Sequence, residues 1–257
     1  DVESGETCAD LANFPVKIYG AVGANLDGTP VVCGGDSSGY SRKCYRFKNG
    51  KWKKFASMNE KREYAAGITY KNKFHVFGGY YYDGSSGSRS KTTELISIDG
   101  GGEDGPQLPE ARSGHCMVTL HDGKVLILGA NPNSPSLYKN VIIFDPAQNT
   151  FTTGPSLSYN RDNAACILFN SNLHDNRPVV LAAGGWGQAT AEVYDYTNDN
   201  AWQTSIHFII SRFQSELTSF FFFFFPLPVK TQTEKRRFFT TSNTDCRYLH
   251  LLHQKFC

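Results

Sequence analysis

The side chains of this 257-residue chain best suited to covalent chemistry are its seven cysteines. Cys33 and Cys44 flank the loop 34–43 and fall on neighbouring predicted strands. Adjacent antiparallel strands bring cysteines to bridging distance, and a bridge closing such a loop would add about 3 kcal/mol in the chain-entropy model. The pair reads either as a disulfide, which implies an oxidising compartment, or as two buried thiols. Cys116 and Cys166 hold the same place in two similar stretches, each inside a strand of small residues, and read as lone buried thiols. No Asn-x-Ser/Thr sequon with a permitted middle residue occurs, which weakens a secreted reading.

Other catalytic chemistry has little to draw on. His75, His115, His121, His174 and His207 are scattered without paired ligand spacing. No phosphate-cradling glycine loop, HExxH, CxxC or Gly-x-Ser-x-Gly element is present. The expectation is a chain with no catalytic residues, no metal site and no cofactor. The net charge of +2 is small, so charge alone implies neither nucleic acid nor an anionic membrane. No apolar run is long enough for a helical membrane span.

The elements that position these residues recur. Lys73-Phe74-His75-Val76-Phe77-Gly78-Gly79 is an apolar run ending in two glycines. It is matched by Val31-Val32-Cys33-Gly34-Gly35 and by Val179-Val180-Leu181-Ala182-Ala183-Gly184-Gly185, with a weaker copy at Val125-Leu126-Ile127-Leu128-Gly129-Ala130. The copies are 44, 51 and 55 residues apart, a period typical of propellers or solenoids. Arg62, Arg112 and Arg161 precede three of the copies at intervals of 50 and 49 residues, each followed by a small-residue strand. A second apolar strand follows each loop, and an aromatic comes seven or eight residues later: Trp52 after Tyr45, Phe151 after Phe144, Trp202 after Tyr194. Asp27-Gly28, Asn49-Gly50 and Asp122-Gly123 supply turns that tolerate positive φ. Residues 42–62 carry nine Lys/Arg against one acid, Glu60; this is a solvated outer edge blocking sheet-to-sheet pairing, or else a contact for an acidic partner.

Over residues 11–202 these motifs resemble the kelch-repeat family. The resemblance implies an all-β, kelch-type β-propeller with four recognisable four-stranded blades at about 16–59, 60–108, 109–155 and 156–203. Six or seven blades are usual in kelch rings, so the ring reads as incomplete. Residues 1–15 are an N-terminal segment able to supply the outer strand of a distant blade and close the ring. Tyr45, Trp52, Phe144, Phe151, Tyr194 and Trp202 are assigned to packing between blades. His115 is similar to a structural position of the repeat.

Kelch proteins usually meet their partners through the long loop after the second strand. Tyr80, Tyr81 and Tyr82 occupy that loop with Arg89 nearby, and Trp186 occupies the equivalent loop of repeat four. Tyrosine, tryptophan and arginine are the residues enriched at interface hot spots. The implied function is a non-catalytic module that binds a protein partner of unknown identity. One form is the substrate-recognising part of a cullin-type ubiquitin-ligase adaptor, cytoplasmic and lacking its BTB region here. Another is an extracellular kelch protein, which a Cys33–Cys44 disulfide would favour; small actin-binding kelch proteins are a third. Copper radical oxidases share the fold and are the enzymatic alternative, but need a Tyr–Cys cross-link, a second tyrosine and two histidine ligands.

Residues 204–257 break the pattern. They contain no glycine, whereas the chain before them holds all 24. Six consecutive phenylalanines, Phe220 to Phe225, are too few for a span and lack strand alternation. Phenylalanine codons are pyrimidine-rich, so the stretch reads as a translated intron tract or, alternatively, as a genuine partly disordered tail.

Overall fold

In a computed structural model, the structure describes residues 12–36, 41–82, 86–132, 138–171, 174–198 and 201–207. Four antiparallel four-stranded sheets stand as the blades of a β-propeller. Blade one is β1 (Tyr19–Leu26), β2 (Thr29–Asp36), β3 (Lys43–Lys48) and β4 (Lys51–Ser57). Blade two begins with β5 (Ala66–Tyr70) and β6 (Lys73–Phe77). A hairpin of β7 (Tyr80–Tyr82) and β8 (Gly87–Arg89) intervenes before β9 (Thr93–Ser97) and β10 (Gly101–Asp104). Blade three is opened by the short β11 (Arg112–Ser113) and built from β12 (Cys116–Thr119), β13 (Val125–Leu128), β15 (Val141–Asp145) and β16 (Thr150–Thr153). Its β14 (Asn131–Pro132) folds back on β11. Blade four is β17 (Ala165–Ser171), β18 (Arg177–Ala183), β19 (Thr190–Tyr194) and β20 (Gln203–His207). The first strands stand side by side in the order β1, β5, β12, β17.

Turn chemistry sets the registers. Leu26 faces Thr29 across Asp27 (φ 52°) and Gly28 (φ 69°), and Lys48 faces Lys51 across Asn49 (φ 53°) and Gly50 (φ 70°). Two consecutive positive φ angles match the right-handed strand twist, so these hairpins close without splaying. Lys71 and Asn72 make the same turn between Tyr70 and Lys73 without a glycine.

With registers set, alternate side chains point to opposite faces. Val31 and Cys33 of blade one meet Phe74, Val76 and Ile96 of blade two. Ile68 and Phe77 meet Val125, Ile127 and Phe144 across the next junction. Leu126 and Leu128, one residue out of phase on β13, meet Val180, Ala182 and Trp202 of blade four. Phe151 stacks on Phe144 at 4.8 Å, and Trp202 lies 5.2 Å from Tyr194 with its Nε1–H donated to Pro155 O at 3.0 Å. Tyr45 and Trp52 are placed differently: both are half-buried against Phe14, 5.1 and 5.0 Å away, on the flank of blade one turned away from blade two. On β4, an edge strand, Lys51, Lys53 and Lys54 are exposed.

The cysteines resolve in two ways. Cys33 and Cys44 sit directly opposite on β2 and β3, with Cα atoms 4.1 Å apart, and form a disulfide. Cys116 and Cys166, expected as separate thiols, are also bonded to each other, at a Cα separation of 6.0 Å. The expectation fails because a strand taken alone does not show which strand of another blade lies beside it. Their common repeat position puts them on β12 and β17, first strands that the blade packing sets side by side. Cys8, Cys246, Cys257, the phenylalanine run and most of the N-terminal segment lie outside the described residues.

Candidate partner-binding face

The face where second strands end and first strands begin is built on the glycine pairs. Gly34, Gly78 and Gly129 all have positive φ (73°, 59° and 66°) and sit against the backbone of the next blade. A Cβ there would lie 2.4 Å from Arg62 O, 2.5 Å from Arg112 O and 2.1 Å from Arg161 O respectively. That contact excludes any side chain. The residue after each glycine donates its N–H to the same carbonyl: Gly35 to Arg62 at 2.8 Å, Gly79 to Arg112 at 2.9 Å, Ala130 to Arg161 at 2.9 Å. Gly184 (φ 68°) and Gly185 (φ 108°) repeat the conformation, but no described atom lies within 4 Å of a Cβ placed on Gly184.

The arginine side chains work inside their own blades. Arg62 Nε and Nη2 donate to Glu94 Oε1 at 3.0 and 2.8 Å, and Nη1 donates to Gly78 O at 2.6 Å. Arg161 repeats this with Glu192 Oε1 (2.9 Å), Gly184 O (2.7 Å) and Thr190 O (2.8 Å). Arg112 is equally buried, yet its described partner is Glu110, 3.4 Å from Nη2.

Two residues after each arginine the chain turns through positive φ again, at Tyr64 (52°), Gly114 (61°) and Asn163 (55°), with Gly20 (63°) in blade one. Tyr64 N–H donates to Gly20 O, Gly114 N–H to Tyr64 O and Asn163 N–H to Gly114 O, each at 2.8 Å. This chain of bonds crosses all four blades and holds the exposed rings of Tyr64 and Tyr19 6.5 Å apart.

The loops leaving the glycines surround that inner line. Tyr80 pairs with Arg89 in the β7–β8 hairpin, the guanidinium 5.9 Å from the ring centre, and the backbones of Tyr80 and Glu63 bond reciprocally at 2.6 and 2.9 Å. Arg89 Nη2 donates to Asn131 Oδ1 on blade three, and Asn131 Nδ2 donates to Asp162 Oδ2 on blade four at 3.0 Å. Trp186 N–H donates to Asp162 O at 2.7 Å while its ring is 72% exposed. Burial pushes the Asp162 carboxyl up from the usual range, opposed by the Asn131 hydrogen bond and the charge of Arg89. Tyr80, Tyr81, Arg89 and Trp186, singled out from the sequence, thus share one face; the backbone of Tyr82 lies there too, while Asp83 and Gly84 are outside the described residues.

Sequence reasoning passed over Asn131, Asp162, Tyr64 and Tyr19. A usable signal existed: Asp162 directly follows a repeat arginine, and Asn131 stands where the second glycine's loop begins. Two of the histidines, His75 and His115, are interior groups. His75 bonds Thr93 Oγ1 at 2.9 Å, its ring lies tilted 4.0 Å from that of Phe77, and burial lowers its pKa to about 4. Burial, and then the nearby charge of Arg112, lower that of His115 to about 3. Among the described residues, no three His, Cys, Asp or Glu cluster as metal ligands, and no helix is long and apolar enough to cross a membrane.

No protein-family model and no curated protein matches the chain. Among solved structures it is similar to the one titled "Structure of YjhT", with a TM-score of 0.62 over 77% of this chain and 68% of that one, at 16% identity. That likeness is one of fold.

Proposed function

We propose that this chain is a kelch-type propeller acting as a non-catalytic protein-binding module, and that its partner docks on the face carrying Tyr80, Tyr81, Arg89 and Trp186. The observation that carries this reading is the Arg89–Asn131–Asp162 line, which ties loops of three blades into one surface beside an exposed tryptophan. Rigid loops lose little entropy on binding, so aromatic anchors mounted on them convert contact into affinity. The kelch assignment is supported by the recurring glycine pairs, arginines and late aromatics. The two disulfides favour an extracellular or otherwise oxidising setting over the cytoplasmic ubiquitin-ligase reading, which rests on resemblance alone.

A photo-crosslinking residue at position 186 tests the face against one at position 53 on the exposed edge of blade one. Protein adducts formed from position 186 and absent from position 53 support it. Equal labelling from both positions would sink it. Non-reducing mass mapping of the native protein decides the compartment: both cystine peptides intact are expected, and free thiols at Cys33 and Cys116 would return the cytoplasmic reading.

A further inference from the structure

We propose that blade three holds an interior binding site for a small monovalent anion of chloride size, on the guanidinium of Arg112 beside His115. The argument starts from register. Glu94 pairs with Val76 and Glu192 with Ala182, each two residues before the first glycine of its blade. The residue at that place in blade three is Ile142, paired with Ile127. Glu94 and Glu192 neutralise Arg62 and Arg161 and also accept from the incoming chain: Asn59 and Glu60 N–H in blade two, Ser158 and Tyr159 N–H in blade four. Blade three puts Pro109, which has no N–H, where Asn59 and Ser158 stand.

Arg112 therefore keeps its place without its carboxylate. It is 1% exposed, and its Nε and Nη1 have no hydrogen-bond acceptor among the described residues. Glu110, partly exposed, lies 3.4 Å from Nη2 and also holds Asn140 Nδ2 at 3.1 Å. His115, buried three residues on, has no partner among the described residues for either ring nitrogen, one of which carries a hydrogen in the neutral ring. A buried charge and buried donors without acceptors are costly, and a native chain answers them with a bound group. The unmatched groups on Arg112 are all N–H donors beside a positive charge, so an anion suits them better than a cation.

The full chain is unfolded thermally at constant ionic strength with sodium gluconate replaced stepwise by sodium chloride. Binding to the native state alone raises the midpoint with anion concentration. The expected result is a rise of a few degrees in the native chain, logarithmic in chloride once the site is filled, lost in Ile142→Glu, which supplies the carboxylate internally, and retained in Ile142→Gln. No chloride response in the native chain, as when water satisfies these donors, overturns the proposal. An undiminished response in Ile142→Glu overturns it too, since the anion would then act elsewhere. Should Ile142→Glu not fold, bromide-soaked crystals of the native chain decide. An anomalous peak within hydrogen-bond distance of the Arg112 guanidinium supports the site, and its absence there refutes it.

Discussion

Blades two and four complete one side-chain circuit, and blade three reaches the same backbone geometry without it. Arg62 and Glu94, like Arg161 and Glu192, are fully buried pairs whose remaining valences are met by main-chain groups and by the hydroxyls of Thr92 and Thr190. In blade three acceptor and donor are exchanged together: Ile142 packs with Ile127 and Phe144, and Pro109 removes the N–H that a carboxylate would have bonded. Replacing a buried ion pair by apolar groups is often neutral, whereas removing one partner is not. The junction survives because it uses the arginine's carbonyl rather than its guanidinium: Gly79 N–H reaches Arg112 O at 2.9 Å, as Gly35 N–H reaches Arg62 O at 2.8 Å. The hydrogen bond from each glycine turn to the next blade is thus a backbone property, and the ion pair organises the interior of a single blade.

The largest expected effect separates the circuits. Glu192→Ala leaves Arg161 buried and unpaired, which should cost about 3–5 kcal/mol in urea denaturation. Glu110→Ala in blade three should cost about 1 kcal/mol or less, as for a partly exposed pair. Equal losses would mean that Glu110 has taken over the role of the missing carboxylate. Next come the glycines. Gly78→Ala and Gly184→Ala both carry a left-handed penalty of roughly 1–2 kcal/mol, but only at Gly78 does the added Cβ meet Arg112 O at 2.5 Å. Gly78→Ala should therefore be the worse by at least about 1 kcal/mol. Matching urea midpoints for the two variants would remove the steric account of the junction.

The smallest effect is on pH. His75 and His115 have native pKa values of about 4 and about 3, below the ordinary 6.5, so the unfolded chain takes up protons first as pH falls. Stability from these groups is complete above pH 6.5 and declines through the window down to about 4 for His75. His75→Gln, which can still bond Thr93 Oγ1, should flatten the slope between pH 6.5 and 5 in denaturation curves. An unchanged slope would place the proton uptake elsewhere.

Much of the blade was legible in the chain. The apolar run before Gly78-Gly79 became β6, and Asp27-Gly28 and Asn49-Gly50 became two-residue turns, because strand alternation and positive-φ turns are local preferences. The anchors of the candidate face were half legible. Tyr80 and Trp186 stand out by type, whereas Asn131 and Asp162 matter only because blades three and four curve their loops together. Trp52 shows the opposite error: it follows the aromatic spacing of Trp202, yet it packs on Phe14 at 5.0 Å because blade one presents that flank to no described blade.

The sequence by itself determined the repeat, the strand order within each blade and the glycines on which the loops depart. These depend on tight turns and on pairings within a single repeat, which spacing records directly. Only the tertiary structure decided that Cys116 bonds Cys166 fifty positions away, that Arg62 finds Glu94 while Arg112 finds no equivalent among the described residues, and that loops of three blades share one face. Such pairings depend on how neighbouring sheets are set against each other, and that angle comes from side-chain packing between blades that no single strand encodes.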